Sequence, residues 1–488
     1  MKGLNICVLL PDYSTSSVDY QHYDPPRDIS ALLPNCRFTH IFLNKLTVYR
    51  QLKDLAKQEF HIFVNLCEGY LDWEVPSIDV PYYLQLLNLP YTGPDTLLYD
   101  PEKVVMKYVA FTRGIKTPAF ALIKDEDNLE RQIEKLRFPL FVKPAKAGDS
   151  LGIDEHSLVH NIQDLKIQVN QLLPQYPELL AEEYIDGREF TVLVAANPSV
   201  PGKAISFLPV EYVFPKGFTY KTYQLKTSEL HPDANLPVKD AVLSEKLRKS
   251  AEQIFCGFNG KGYARLDFRM NEAGELFFLE INFTCSIFYK DGFEGSADYI
   301  VKADGIGQSG FLELIIKEGM ARFERSRSCF EMRGNAISGY GIYAIRDIKK
   351  DEVVFKGEER PQRLVSLEYV TRNWEDAQIE DFRRYAYPVG SNTYLLWSDN
   401  PKDWAPQNHS CVANTFYSGL NVLAARDIKT GEELTLDYAL LLDETAAPFQ
   451  CNCKSPSCRG MVKGIKKKTT DFNPVLLQTA GRQSRQSP

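Results

Sequence analysis

No stretch of the 488 residues approaches the apolar length needed to cross a bilayer. The opening run Met1-Lys2-Gly3-Leu4-Asn5-Ile6-Cys7-Val8-Leu9-Leu10 stops at Pro11-Asp12 and has no small-residue cleavage site behind it. It therefore reads as a first buried strand and not as an export signal. A basic excess is missing too: 57 Lys and Arg stand against 64 Asp and Glu, a net charge of −7. That argues against a broad nucleic-acid-binding surface. There is no paired-cysteine framework. Of ten cysteines, four fall between Cys411 and Cys458 and six are scattered singly, which suits a reducing compartment. No repeat or low-complexity segment stands out by eye. These absences together predict a soluble, intracellular and preferably cytoplasmic protein with no membrane or nucleic-acid partner.

What is present is ample apolar material. At 44% hydrophobic and 25% charged residues the composition is that of an ordered protein, and the length calls for two or three domains. Asn5–Leu10, Phe38–Leu43 and His61–Leu66 read as strands, and Gln51–Glu59 as a helix, an alternation that predicts an open, mainly parallel α/β sheet. Pro90-Tyr91-Thr92-Gly93-Pro94-Asp95 is a turn signal and a subdomain edge. Further strands are expected at Leu140–Lys143, Phe190–Ala195 and Leu276–Phe283. The polar stretch 321–332 reads as a linker. Beyond it lie short β-like runs at Gly341–Ala344, Val353–Phe355 and Thr393–Trp397, and the tail 463–488 is expected to be disordered.

Ala264–Met270, the turn Asn271–Gly274 and Glu275–Phe283 form a predicted hairpin. Glu280 and Asn282 are two apart and so share a face, which Asp267 can reach from the partner strand. Three oxygen donors on one face suit Mg²⁺, although a solvated acidic face would look the same. Upstream, Lys143 ends a strand and precedes Gly148, Ser150 and Gly152, whose backbone can approach phosphates. Lys107 follows Lys103 in a helical segment, and Glu182 and Glu189 lie in Leu180-Ala181-Glu182-Glu183-Tyr184-Ile185-Asp186-Gly187-Arg188-Glu189-Phe190.

In their order and spacing, Lys103/Lys107, Phe-Pro-Leu-Phe-Val-Lys143-Pro, Glu182–Glu189, Arg265-Leu-Asp267 and Glu280-Ile-Asn282 resemble the ATP-grasp ligases, most closely the D-alanine–D-alanine ligases, over roughly 65–283. The resemblance implies an α/β and α+β ATP-grasp fold, with a pre-ATP-grasp subdomain at 1–95 and a nucleotide-binding region at 96–320. It implies that Lys107 and Lys143 hold ATP phosphates under the loop of Gly148, Ser150 and Gly152. By the same likeness Glu182 and Glu189 bind the adenine and ribose sides, and Asp267, Glu280 and Asn282 hold Mg²⁺ or Mn²⁺. Arg265 would stabilise the transition state as a small carboxylate, activated as an acyl phosphate, meets an amine. Two departures put D-alanine itself in doubt: Leu10-Pro11-Asp12-Tyr13-Ser14-Thr15 replaces the family's substrate loop, and Phe283-Thr284-Cys285-Ser286-Ile287 replaces its Pro-Gly turn.

Near the other end, Cys451, Cys453 and Cys458 put three thiols in one tight loop, one short of a tetrahedral zinc set, with Cys411 the nearest fourth. Ser338–Ile348 with Gly339, Gly341 and Tyr343, then Asn408-His409-Ser410-Cys411, then Gly431–Tyr438 resemble a SET domain at 333–440. The cysteines resemble its post-SET zinc loop at 441–462. The resemblance implies a mainly-β fold and an S-adenosylmethionine-dependent protein-lysine methyltransferase. Gly339, Gly341 and Tyr343 would line the cofactor pocket, Asn408 and His409 would bind its methionine and adenine ends, and Tyr438 would be catalytic. Leu436 stands where the family often has Phe or Tyr. Two other readings stay open: a tandem enzyme that ligates and N-methylates a small molecule, or a methyltransferase carrying a non-catalytic nucleotide-binding module.

Overall fold

The computed structural model describes residues 3–16, 24–70, 73–146, 151–214, 220, 234–335, 339–359, 363–390, 392–396 and 407–465. The chain divides into two compact units, 1–326 and 327–488.

In the first unit β1 (Asn5–Pro11), β2 (Arg37–Leu43) and β3 (Ile62–Asn65) form a parallel sheet in the order β2-β1-β3. Residues 6–11 of β1 are all buried, as expected of a central parallel strand covered on both faces. The helix after β2 spans Val48–Leu55, earlier than its predicted range of Gln51–Glu59. A second sheet contains β4 (Phe120–Ile123), β5 (Leu140–Pro144), β6 (Leu158–Val159) and β7 (Leu179–Glu183), ordered β4-β7-β5-β6 and antiparallel.

A third sheet carries β8 (Arg188–Ala196), β9 (Ala204–Ser206), β10 (Val210–Tyr212), β11 (Asn235–Pro237), β12 (Tyr263–Met270) and β13 (Leu276–Asn282). The helix Ala241–Gly257 packs on this sheet, burying Leu247, Ala251, Ile254 and Phe255 against Phe268, Phe278 and Phe283. Its start is fixed by Asp240, whose side chain accepts from the Val242 and Leu243 N–H groups. The predicted hairpin is β12–β13, with Asp267 opposite Glu280 and Arg265 opposite Asn282.

The linker expected at 321–332 is mostly regular structure. The helix Gly307–Ser326 runs through its first half, buried through Phe311, Leu312, Ile315 and Ile316, and a strand begins at Phe330. Arg322 pairs with Glu318 one turn back at 3.3 Å, and it also donates to the Tyr91 carbonyl at 2.8 Å and covers the Tyr91 ring, so a polar-looking sequence is helical partly for a tertiary reason. The tail from 466 lies outside the described residues. Among the described residues no helix is long and apolar enough to cross a membrane.

The second unit is built of small sheets. They comprise the hairpin β14 (Phe330–Asn335) with β15 (Gly339–Ala344), and β16 (Val353–Lys356), β17 (Arg363–Ser366), β18 (Tyr387–Pro388) and β19 (Thr393–Leu396). After these come β20 (Asn408–His409), β21 (Thr415–Ser418), β22 (Asn421–Ala424), β23 (Thr435–Leu436), β24 (Phe449–Gln450) and β25 (Met461–Val462). The orders are β16-β22-β21 and β17-β19-β18, and β20 lies parallel to β23.

A short internal duplication, not evident by eye in the sequence, organises this unit. Arg346-Asp347-Ile348-Lys349 and Arg426-Asp427-Ile428-Lys429 face each other about a local two-fold. Ile348 and Ile428 exchange backbone hydrogen bonds of 2.9 and 2.8 Å. Lys349 pairs with Asp427 at 3.0 Å and Lys429 with Asp347 at 2.7 Å, while Arg346 and Arg426 reach Glu352 and Glu432. The exposed pairs add little stability individually, so the two buried isoleucines and their exchanged bonds set the register. One copy follows β15 and the other precedes β23. Their pairing therefore carries the glycine strand beside Glu433, and Leu434 N–H donates to the Ile342 carbonyl at 2.8 Å.

Candidate functional sites

In the first unit the β5–β7 register sets Phe141 opposite Glu182, and Lys143, two residues on, shares their face. Glu182 is almost fully buried and receives two lysines: Lys107 Nζ at 2.8 Å and Lys143 Nζ at 3.3 Å. Lys103, one helical turn before Lys107, lies 3.7 Å from Glu280 of β13. Burial alone would raise the Glu182 carboxyl, but the two lysines overcome it and hold the group near 2. Burial lowers the Lys103 and Lys107 ammonium groups. It works the same way on Lys143, where Glu182 and Glu280 outweigh it and the net direction is up.

An open cleft runs between the second and third sheets and is lined by Phe141, Lys143, Glu182, Tyr184, Glu189, Arg265, Asp267, Arg269 and Glu280, among others. Phe141, Tyr184 and Tyr220 form its aromatic wall, with Phe141 stacked on Tyr184 at 6.4 Å and edge-on to Tyr220 at 5.0 Å. Arg269 covers the Tyr184 ring at 4.6 Å and approaches Glu189 at 3.8 Å. Arg265 donates to Asp267 at 3.4 Å, and although burial opposes its charge, Asp267 keeps the guanidinium firmly protonated. Asn282 shares the Glu280 face, but its Oδ1 already accepts from the Thr284 N–H at 2.9 Å and hydroxyl at 3.2 Å. Gly152 is held at φ +72°, where a side chain would also meet the Pro144 ring. Gly148 and Ser150 lie outside the described residues.

The carboxyl ends of β1 and β3 meet the loop after β13 in a buried polar cluster. Arg27 pairs with Glu68 at 3.1 Å and Asp24 at 3.3 Å, donates to the Leu66 and Ile287 carbonyls, and covers the Tyr289 ring. Tyr13 and Tyr289 donate to Asp24, and Ser286 donates to Glu68, whose carboxyl burial pushes up to about 7. This cluster stands where the substrate loop and the Pro-Gly turn were expected and not found. Nothing in the local sequence around Arg27 announces it.

In the second unit, four sulfurs from two chain segments gather. Cys411, Cys451, Cys453 and Cys458 place their Sγ atoms all within 4.8 Å of one another. Cys411 and Cys451 are 3.7 Å apart, close to the edge of about 3.8 Å that Zn–S bonds of about 2.3 Å give in a tetrahedron. Backbone N–H groups of Cys453, Arg459 and Gly460 donate to Cys451, Cys411 and Cys458 at 3.4–3.5 Å, support that a thiolate set needs. Burial is the largest single influence on the Cys411, Cys451 and Cys453 thiols and raises each of them. The N–H bonds to Cys411 and Cys453 outweigh it and bring them to about 7 and about 6, while Cys451, most buried, stands near 12. Donor type, number and spacing all fit zinc.

His409 ties this cluster to Tyr438. Its Nε2 lies 3.4 Å from Cys411 Sγ, and its Nδ1 accepts from the Tyr438 N–H at 3.1 Å. Tyr438 packs against Phe449, and its hydroxyl donates to the Gln407 carbonyl at 2.5 Å. Burial lifts its phenol to about 12. Asn408 donates to the Tyr340 carbonyl and to Glu433. Gly339 opens β15, Gly341 has Glu433 against it, and Tyr343 bridges to the Glu433 backbone.

The comparisons with known proteins match two parts of the chain separately. The family described as "D-ala D-ala ligase C-terminus" matches residues 105–288, and "SET domain" matches 339–439. The chain joins a D-alanine–D-alanine ligase-type ATP-grasp region to a SET domain. The first part is 33% identical over 202 residues to the D-alanine–D-alanine ligase of Aquifex aeolicus, covering 41% of this chain and 64% of that protein. It is 31% identical over 207 residues to that of Lactococcus lactis subsp. cremoris, covering 41% and 57%. The chain thus spans less than two thirds of either relative. The solved D-alanine–D-alanine ligase of Bacillus anthracis, at 19% identity and a TM-score of 0.50 over 67% of this chain and all of that one, shows the same fold.

The residues predicted for the ATP-grasp cleft come together: Lys143, Glu182, Glu189, Arg265, Asp267 and Glu280 line one cleft, and Lys107 is bound to it through Glu182. In the SET domain Asn408 meets Glu433 beside Gly341, its chain neighbour His409 accepts from Tyr438 N–H, and Cys411 joins the other three cysteines. Sequence reasoning missed Tyr184, Tyr220, Arg269 and Glu433. For Arg269 a signal existed, since it is two residues beyond Asp267 on a strand and so faces the same way.

Glu182→Gln would leave two buried cations without their counter-charge. The expected result in nucleotide-free protein is a loss of about 3–5 kcal/mol in the ATP-grasp unit, read as a lower unfolding midpoint. The wild-type contribution is present above the ordinary carboxylate value of 4.5 and fades as pH falls toward 2, because the folded-state pKa is the lower one. An unchanged midpoint in the variant would contradict the clamp.

Proposed function

We propose that the SET domain is an S-adenosylmethionine-dependent methyltransferase acting on a protein lysine, and that the ATP-grasp region uses ATP and Mg²⁺ to join a small carboxylate to an amine. What carries the first part is one linkage: four cysteine thiols, His409 and Tyr438 form a continuous set of contacts beside Asn408 and the glycine strand. S-adenosylmethionine supplies an electrophilic methyl group when bound. The chain's part is to receive a neutral amine, since an ammonium has no lone pair, and to orient it. Tyr438, its hydroxyl directed at the Gln407 carbonyl, would form one wall of that path, and Gly339, Gly341, Tyr343, Asn408 and His409 would hold the cofactor. Cys411, Cys451, Cys453 and Cys458 would hold zinc and keep the wall folded.

In the ATP-grasp cleft Lys107 and Lys143 would leave Glu182 for phosphate oxygens, with Gly148, Ser150 and Gly152 above them. Glu182 would then face the adenine and Glu189 the ribose. Asp267, Glu280 and Asn282 would ligate Mg²⁺, replacing the charge Lys103 gives Glu280. Arg265 would stabilise the charge that develops as the carboxylate, activated as an acyl phosphate, is attacked by the amine.

One observation favours a second reading, in which this half binds nucleotide without ligating. The Arg27–Glu68–Asp24 cluster, all but the Arg27 Nε, is engaged by its own partners where the relatives' substrate elements would lie. Incubating the full chain with methyl-labelled S-adenosylmethionine, ATP, Mg²⁺ and cell extract tests both parts. Labelled protein bands and ADP release that needs a small-molecule fraction of the extract are expected. Label only in small molecules would replace protein lysine by the small-molecule reading, and nucleotide binding with no ADP would favour the non-ligating one.

A further inference from the structure

Past the four cysteines the chain is led back to the short helix Tyr438–Leu441. β25 pairs with β24, and Val462 is buried in the small core of Ala439 and Cys451. Gly464 passes so close to the end of the helix that a Cβ there would overlap the Leu442 and Asp443 carbonyls. Ile465 N–H then donates to the Ala439 carbonyl at 2.9 Å, while its side chain stands exposed. The last described residue is thereby tied to the immediate neighbour of Tyr438. Tyr438 itself is buried, but solvent is near. After burial, the phenols of Tyr340 and Tyr385 are the next influences that push its own upward, and both of those rings are exposed.

Directly after this anchor the sequence reads Lys466-Lys467-Lys468, outside the described residues. Chain geometry bounds their distance from it: three residues span at most about 11 Å. A lysine's flexible four-carbon stem adds to that reach. Three neighbouring ammonium groups also repel one another, which favours the neutral amine that methyl transfer requires. Lys463 is exposed as well, but it stands between Val462 and Gly464, which are both held in place.

We propose that the SET domain methylates its own chain: the acceptor lies among Lys466, Lys467 and Lys468, and the seated segment 461–465 is the tether that delivers it. This rests on the methyltransferase reading above and names the protein lysine on which that site acts. The lysine's ε-amine, having given its proton to solvent, attacks the methyl carbon of S-adenosylmethionine. The N–C bond forms as the C–S bond breaks, the sulfur keeps the electron pair, and S-adenosylhomocysteine leaves. The methylated nitrogen then carries the positive charge that the sulfonium brought. A short tether gives the acceptor an effective concentration on the order of millimolar, so the step is first order in the chain.

The test incubates the purified full chain with methyl-labelled S-adenosylmethionine and no other protein, then locates the label by peptide mass spectrometry. Label is expected within 466–468 and not at Lys463. The fraction labelled per unit time should stay the same across about a tenfold range of protein concentration, as a tethered acceptor requires. Combining Lys466→Arg, Lys467→Arg and Lys468→Arg keeps the charge and should abolish the label. Zinc content, unfolding midpoint and affinity for S-adenosylhomocysteine should not change in that variant, which shows that it is folded. Tyr438→Phe protein mixed with active chain should stay unlabelled, because its acceptor is tied to its own inactive site. Label at other positions, label that survives the triple substitution, labelling of Tyr438→Phe by active chain, or a fractional rate that climbs with concentration overturns the proposal. A full chain that labels proteins of a cell extract but not itself overturns this proposal alone; labelling of neither overturns the methyltransferase reading with it.

Discussion

Cys451→Ser is expected to strip the SET domain of its metal, lowering zinc from about one per chain to near zero and unfolding the segment around 438–462. Cys451 is the most buried of the four thiols and forms a small core with Ala439 and Val462, flanked by Tyr438 and Phe449. Among the described residues this core is too small to hold the segment alone. Metal binding to such cysteine sets is worth on the order of 10 kcal/mol and is in effect folding energy. Because Tyr438 N–H is fixed by His409, which in turn touches Cys411, loss of metal should reach Tyr438 and the proposed methyl-transfer site directly. Chelation of the wild type should give the same outcome, with binding of S-adenosylhomocysteine weakened more than about tenfold. The unfolding midpoint of the ATP-grasp unit should not move. A Cys451→Ser protein that keeps stoichiometric zinc and a folded SET domain would contradict this.

Tyr438→Phe is the second large effect, and it is chemical. Deleting one hydroxyl should cost methyl transfer at least about a hundredfold, within the range expected for a group that positions or moves a proton in the transition state. Stability should fall by only about 1 kcal/mol, the worth of one hydrogen bond, and S-adenosylhomocysteine should bind within about threefold of wild type. The pH profile adds a sharper statement. With its phenol pushed up to about 12, Tyr438 is a neutral hydroxyl throughout the physiological range. Methyl transfer should therefore rise with pH along the titration of the substrate amine, with no inflection from a tyrosinate near neutrality. Unchanged transfer in Tyr438→Phe would remove this residue from the mechanism.

Local pattern carried much of the site. The alternation in β12 and β13 predicted the hairpin, and the two-residue spacing of Glu280 and Asn282 predicted a shared face opposite Asp267, as the register has it. The Cys451–Cys458 spacing implied a metal set short of one thiol, and Cys411 supplies it from 40 residues away. What stayed hidden depends on partners distant in sequence. Nothing near Glu182 says that two lysines from a helix and another strand will neutralise it. The Arg27 cluster needs Glu68 and residues 286–289 brought to the ends of β1 and β3. The helix through 321–326 looks like a linker because its polar residues are visible in the sequence while the core it packs on is not. The Arg-Asp-Ile-Lys duplication is four residues long, too brief to read as a repeat until Ile348 and Ile428 are seen to pair.

The central claim is that one chain holds two separate cofactor sites, one in each unit, and equilibrium binding tests it most directly. Titrating a single sample of the full chain with S-adenosylhomocysteine and then with ATP and Mg²⁺ should give one site for each. Neither ligand should displace the other. Lys143→Met should abolish only the nucleotide isotherm, and Cys451→Ser only the other. Competition between the two ligands for one site, or no saturable binding of either, would contradict the account.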